Sequence, residues 1–301
     1  MLSQRTLTIA TLLGIMFVAI SQAAPIAASA AAPVPAPSVT PAPSASPSPD
    51  PCGGDARLLA TLDRPTIGFS ACAVAPGTVV FEEGYQNQQQ GSGATAATLV
   101  QYPQSFTRIG IKPRFEVDVI GPYFNRLSTT DGNGGATRTS GYQDSGLGFK
   151  YEFVPKGRWT LGIDGLYTGM NGSPGFTAGG PTETGNFDAS YAITPTFSAG
   201  TTLAYSSTSG ANAAGQYSRF NVFLPSFVLT TQLADNYQLY AEYVYASKLA
   251  PDLGGRGFFD FGVQHLLGKR FEVDLEQGIA ATPDRNLRFN YIGVGFGFQL
   301  Y

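Results

Sequence analysis

The chain has 301 residues, of which 13% are charged against about 25% in an average soluble protein, and it carries 37 Gly, 21 Phe and 15 Tyr. A formal net charge of −3 without a Lys/Arg cluster excludes a nucleic-acid surface, which needs concentrated positive charge. One His and two Cys exclude a His/Cys metal centre, and no motif calls for a cofactor.

Arg5 and the apolar run Leu7–Ile20 open the chain, and the run is too short for a comfortable membrane span. Ser21 and Ala23 then supply the small residues of a peptidase site, so residues 1–23 are predicted as a signal peptide with Ala24 first in the mature chain. Nothing later approaches ~18 uninterrupted apolar residues, so anything that spans a membrane must do so with strands. Residues 24–51 are almost wholly Ala, Pro, Ser and Val. They cannot bury enough apolar surface to offset their ordering entropy and read as a semi-extended periplasmic tether. Cys52 and Cys72 follow. An even count in an exported chain predicts one disulfide closing an N-terminal segment, 52–76, with about 3 kcal/mol from a loop of about 20 residues.

From residue 77 to 301 the period is two. Phe115, Val117 and Val119 alternate with Glu116 and Asp118. Leu147, Phe149, Tyr151 and Phe153 alternate with Gly146, Gly148, Lys150 and Glu152, and Trp159, Leu161 and Ile163 with Thr160, Gly162 and Asp164. Phe187 and Ala189 alternate with Asp188 and Ser190, Leu239, Ala241 and Tyr243 with Gln238 and Glu242, and Phe271, Val273 and Leu275 with Glu272, Asp274 and Glu276. The stretch 220–233 around Pro225 is apolar on both faces and less clear. At the end, Ile292, Val294, Phe296, Phe298 and Leu300 share one face, and Gly293, Gly295 and Gly297 the other, with Tyr301 one residue out of phase.

Tight turns near Pro113, Lys156, Pro195, Asp235 and Lys269 alternate with longer polar segments at 88–95, 121–140, 169–181, 206–216, 247–256 and 281–288. Short turns on one side and long loops on the other make a pattern of about 12 strands with both termini in the periplasm. The prediction is therefore all-β: a transmembrane antiparallel up-and-down barrel over 77–301, in the outer membrane. Its partners would be outer-membrane lipid and the barrel-assembly machinery, which would engage the C-terminal strand. A soluble sandwich would not separate loop lengths in this way.

The face opposite the apolar stripes supplies the candidate lumen lining: Arg108, Glu116, Asp118, Lys150, Glu152, Asp164, Asp188, Glu242, Asp260, Glu272, Asp274 and Glu276, with Arg158 as a further base. Carboxylates on neighbouring strands repel unless solvated or paired. Two readings stand: a structural network across the barrel, and an aqueous or partly plugged conduit that favours cations. The only histidine, His265, lies just before a short turn on the face of Phe261 and Val263, which suits an interfacial aromatic girdle. No serine motif accompanies it, so no enzyme is expected. A channel for small solutes and a structural or surface-interaction barrel both remain open.

Several marks run in order through the chain: Asp63-Arg64-Pro65, Pro76-Gly77, Glu83-Gly84-Tyr85, Arg108-Ile109-Gly110, the run 146–153, Pro225-Ser226, the runs 239–243 and 258–262, and the Gly-rich last strand. With them the chain resembles the outer-membrane transporters named after the meta-pathway of phenol degradation. The resemblance covers residues 63 to 301. It implies a membrane barrel that passes small hydrophobic or aromatic compounds, and it supplies no catalytic motif.

Overall fold

A computed structural model describes residues 52–53, 57–92, 95–212, 214–281 and 288–300. The expected signal peptide and tether lie outside them, as does Tyr301. The helix α1 (Arg57–Thr61) comes first, followed by β1 (Val79–Ser92), β2 (Thr95–Tyr102), β3 (Phe106–Lys112), β4 (Phe115–Ile120), β5 (Phe124–Thr130), β6 (Ala136–Tyr142) and β7 (Gly146–Glu152). Then come β8 (Trp159–Thr168), β9 (Thr182–Ala192), β10 (Phe197–Ala211), β11 (Tyr217–Ala234), β12 (Tyr237–Ala250), β13 (Leu253–Leu267), β14 (Phe271–Ala280) and β15 (Arg288–Leu300).

All form one antiparallel sheet, which closes where β1 meets β15 from Val79↔Leu300 to Gly91↔Arg288. Closure leaves no free edge along that seam, as a sheet in lipid requires. Three wall strands are each interrupted once. The lower part of β1 pairs with β3 and the upper part with β2, and the same holds for β4 with β5 and for β7 with β6. Fifteen segments are thus 12 wall strands. The breaks sit side by side at 103–105, 121–123 and 143–145, and Pro103 and Pro122 have no N–H to give a ladder. Hydrogen bonding continues across them from Gly121 N to Ser105 O (2.9 Å), Gln143 N to Tyr123 O (2.8 Å) and Gly169 N to Ser145 O (3.0 Å).

The barrel is inside-out relative to a soluble protein. Leu147, Phe149, Leu203, Phe227, Leu275, Ile292 and Val294 are exposed, whereas Glu82, Arg108, Lys150, Asp188 and Glu272 are fully buried. That distribution follows from the period-two pattern, with lipid rather than water outside. The structure corrects two readings of the connections. Most of the expected long loops are strand: 121–140 contains β5 and most of β6, and 247–256 folds into a tight turn between β12 and β13. The unclear stretch around Pro225 is the middle of β11. Its ladder with β12 starts at Ser226↔Val244, so no N–H is required of the proline on that side, and Phe223 N instead donates to Ser247 Oγ (2.8 Å).

Candidate functional site: the lumen and its plug

Residues 57–76 lie inside the barrel. Leu58, Leu59 and Leu62 of the α1 region pack with Val74 against Val80 and Leu266 on the inner wall. Above them the chain is held by its own amides, because six plug N–H groups donate to wall carboxylates. Asp63 N and Arg64 N reach Glu82 (3.0 and 2.7 Å), Ile67 N and Gly68 N reach Glu242 (both 2.8 Å), Ala73 N reaches Glu152 (2.9 Å), and Val74 N reaches Glu116. Phe69 N donates to Thr202 Oγ1 (2.9 Å). Bonds to charged acceptors are stronger than neutral ones, and here they substitute for the strand partners the plug lacks.

Wall bases answer the plug carbonyls. Arg108 donates to Cys72 O (3.0 Å) and to Thr61 O, and also pairs with Glu116 and Glu82. Lys150 Nζ reaches Asp63 Oδ1 (2.7 Å) and Ser70 O (2.8 Å). In return the plug offers Arg64, whose guanidinium meets Asp274 (3.3 Å), Glu276 (3.5 Å) and Gln104 (2.8 Å). Burial disfavours the Arg64 cation, but Glu276 and Asp274 outweigh it and hold its pKa above the ordinary arginine value. A disulfide joins Cys52 to Cys72 and ties the start of the plug to its far arm.

The bare face of the last strand is where the plug seats. A Cβ on Gly295 would stand 2.7 Å from Arg64 Nε, and one on Gly297 would stand 2.6 Å from Leu62 Cδ2. Any larger residue there would force the Arg64 or Leu62 side chain to move.

All twelve candidate residues are buried within the barrel. Arg108, Glu116, Lys150, Glu152, Glu242, Asp274 and Glu276 touch the plug through the contacts given above. In contrast, Asp260 takes the Tyr240 hydroxyl (2.8 Å), Glu272 takes Gly297 N (3.1 Å), and Asp164 and Asp188 bond to Asn186 and Thr202. Arg158, read as a lumen base, instead sits exposed at the short turn between β7 and β8, donating to Ile193 O (2.8 Å). Sequence reasoning missed Asp63, Arg64, Glu82 and Gln104. Asp63 and Arg64 drew attention only as a resemblance mark, and Glu82 had a usable signal in sharing a strand face with Val80 and Gly84, opposite Phe81. His265 stacks on Tyr237 at 3.9 Å, with Nδ1 3.2 Å from Asn236 O.

Above the plug the lumen changes character. Val222, Val244, Ala246, Phe258, Phe289 and Tyr291 form an apolar cluster on the inner wall of the β11–β15 side, and Ile67 of the plug packs against it. Across the lumen, Phe176 packs on Ala97, Leu99 and Leu127. Phe176 belongs to the 169–181 connection, which Asp144 holds by accepting Gly172 N (2.7 Å) and Ala178 N (2.8 Å). Below, a cavity of about 500 Å³ lies between the plug and the β8–β13 wall, lined by Thr160, Ser190, Thr202, Thr230, Gln238 and Gln264 and reaching the turn residues Gly157 and Pro195. Thr66, Gly68 and Phe69 line that cavity while Ile67 faces the apolar cluster, so the strip 66–69 is the partition between the two.

This arrangement defines a class: a transmembrane β-barrel of the outer-membrane type with a resident N-terminal plug. No protein-family model matches the chain, and no curated protein sequence matches it. Among solved structures, the chain is similar to an outer membrane channel from Pseudomonas putida F1, with a TM-score of 0.54 and 9% identity over 76% of this chain and 97% of that one. It is also similar to the translocator domain of autotransporter NalP from Neisseria meningitidis, with a TM-score of 0.51 and 10% identity over 73% of this chain and 88% of that one. At these identities the likeness is one of fold.

Proposed function

We propose that the chain is an outer-membrane channel for small solutes, and that those solutes are apolar, aromatic compounds among them. The observation that carries this reading is the close-packed apolar cluster of Phe258, Phe289, Tyr291, Val222 and Val244 on the inner wall, beside a charged plug seat. When the strip 66–69 that packs on it moves, this cluster offers an apolar solute a place out of water, at about 25 cal/mol per Å² of apolar surface removed. The Pseudomonas putida neighbour is itself a channel, which supports the choice of class. The resemblance to phenol-pathway transporters points to the same solutes.

In this reading residues 1–23 direct export, residues 24–51 remain in the periplasm, and β15 is the segment engaged by the barrel-assembly machinery. Solute passes along the apolar cluster when the strip 66–69 leaves the wall. The rival reading is a structural barrel without transport, and the dense bonding of the plug favours it. Uptake of a labelled monoaromatic hydrocarbon by cells lacking general porins separates the two. Expression should raise the uptake rate, and Phe258→Asp should return it to the vector level. Uptake equal to the vector, with or without residues 57–76, would sustain the structural reading.

A further inference from the structure

The lumen carries an imbalance that the plug does not resolve. Among the described residues, thirteen Asp and Glu side chains are buried against two buried bases, Arg108 and Lys150, with Arg64 a third at 14% side-chain exposure. Most of the acids are satisfied by plug amides or by these bases. Asp164 on β8 and Asp188 on β9 are not. Lys150 stands opposite Asp164 in the ladder but turns its Nζ to Asp63 and Ser70. Asp164 faces Asn186 in the β8–β9 ladder and Asp188 lies two residues further along β9 on the same buried face, and no ion pair among the described residues includes either. Asp164 Oδ1 takes Asn186 Nδ2 (2.6 Å), and Asp188 Oδ1 takes Thr202 Oγ1 (2.6 Å). That leaves Asp164 Oδ2, Asp188 Oδ2 and Asn186 Oδ1 buried with no partner, on side chains 4%, 0% and 8% exposed.

We propose that Asp164, Asp188 and Asn186 form a binding site for one calcium ion inside the barrel wall. Three oxygen acceptors with nothing to accept are costly in a buried place, and two neighbouring like charges are costlier. A divalent cation neutralises both carboxylates and takes the amide oxygen as a third ligand. An all-oxygen set selects a hard cation over a transition metal. Calcium is favoured over magnesium because it accepts carboxylates and carbonyls directly in irregular geometry, whereas magnesium keeps most of its waters. Entry is through the periplasmic cavity, which Thr202 lines. Thr202 also holds Phe69 of the plug, so the ion braces the partition strip through Asp188.

The test uses the full-length protein folded in detergent, stripped with EDTA and titrated calorimetrically with CaCl₂ and MgCl₂. One calcium should bind per barrel, with magnesium at least ~10-fold weaker. The Asp164→Asn/Asp188→Asn pair should abolish binding while heat-modifiable migration shows the barrel intact, and Asp131→Asn, on an exposed turn, should bind as the parent does. Where the double variant fails to fold, Asn186→Leu keeps both acids and removes one ligand. Its affinity should fall by at least the ~10-fold that loss of even an outer-shell partner costs. A parent that binds no calcium would overturn the proposal and leave a proton shared between the two carboxyl groups. Equal binding by parent and acid-to-amide variants would overturn it as well.

Discussion

Glu242 is the wall residue on which the partition strip depends most. Its carboxylate accepts both Ile67 N and Gly68 N at 2.8 Å, and the side chain is fully enclosed. A hydrogen bond to a charged acceptor contributes ~1.5–3 kcal/mol, so Glu242→Ala removes about 3–6 kcal/mol from the hold on this strip. Water from the cavity below reaches Thr66 and Gly68 and refills the two amides in part, which makes ~3 kcal/mol the working figure. At ~1.4 kcal/mol per decade, the population of the released strip should rise about 100-fold. Glu242→Gln keeps an acceptor oxygen without the charge and should raise it about 10-fold. Single-channel recording in planar bilayers reads the effect as the fraction of time spent open. An unchanged open fraction in a correctly folded Glu242→Ala protein would refute the assignment of strip 66–69 as the partition.

Leu275→Arg places charge on the lipid face and should weaken folding into bilayers by ~2–4 kcal/mol, while Glu276→Gln, inside the barrel, should leave assembly near the parent level. Urea titration in lipid vesicles measures both, and equal effects would contradict the facing of β14. Mass spectrometry of the non-reduced protein should recover Cys52 linked to Cys72. Cys52→Ser should loosen the plug by ~3 kcal/mol yet leave the barrel assembled, because both cysteines precede β1. Loss of the heat-modifiable barrel in that variant would show that the plug is needed for assembly. A tag at Asn133–Gly134 should be labelled on intact cells and one at Lys156–Gly157 should not, and the reverse would invert the topology.

The wall was legible wherever one face is apolar and the other small or charged, as in β14 and β15, because period two is a local property of the chain. The plug was not. Residues 57–76 carry no alternation and a helix of only five residues, and their partners lie up to 212 positions away, as Arg64 and Glu276 do. The polar outer ends of strands were also lost. β6, with Thr137, Arg138, Thr139 and Ser140 all exposed, has no apolar face to alternate against, so it resembled a loop. Gly293, Gly295 and Gly297 were noticed as a bare face, but their reason, the close approach of Glu276, Arg64 and Leu62 respectively, exists only once the barrel closes around the plug. The acids of the inner face stood out by sequence as a charge surplus. That Glu116, Glu152 and Glu242 would be spent on backbone amides of the plug needed the plug's path.

An apolar solute in transit should contact the apolar cluster of the inner wall above the plug, and photolabelling reads that contact. Cells expressing the protein are exposed to a small aromatic compound bearing a diazirine, irradiated, and the labelled residues mapped by mass spectrometry. The account predicts label on Phe258, Phe289, Val222 and Ile67, reduced by excess unlabelled aromatic compound and lost in Phe258→Asp. Label confined to outward residues such as Phe227, Leu275 and Val294, unaffected by competitor, would place the compound in the lipid and contradict the account.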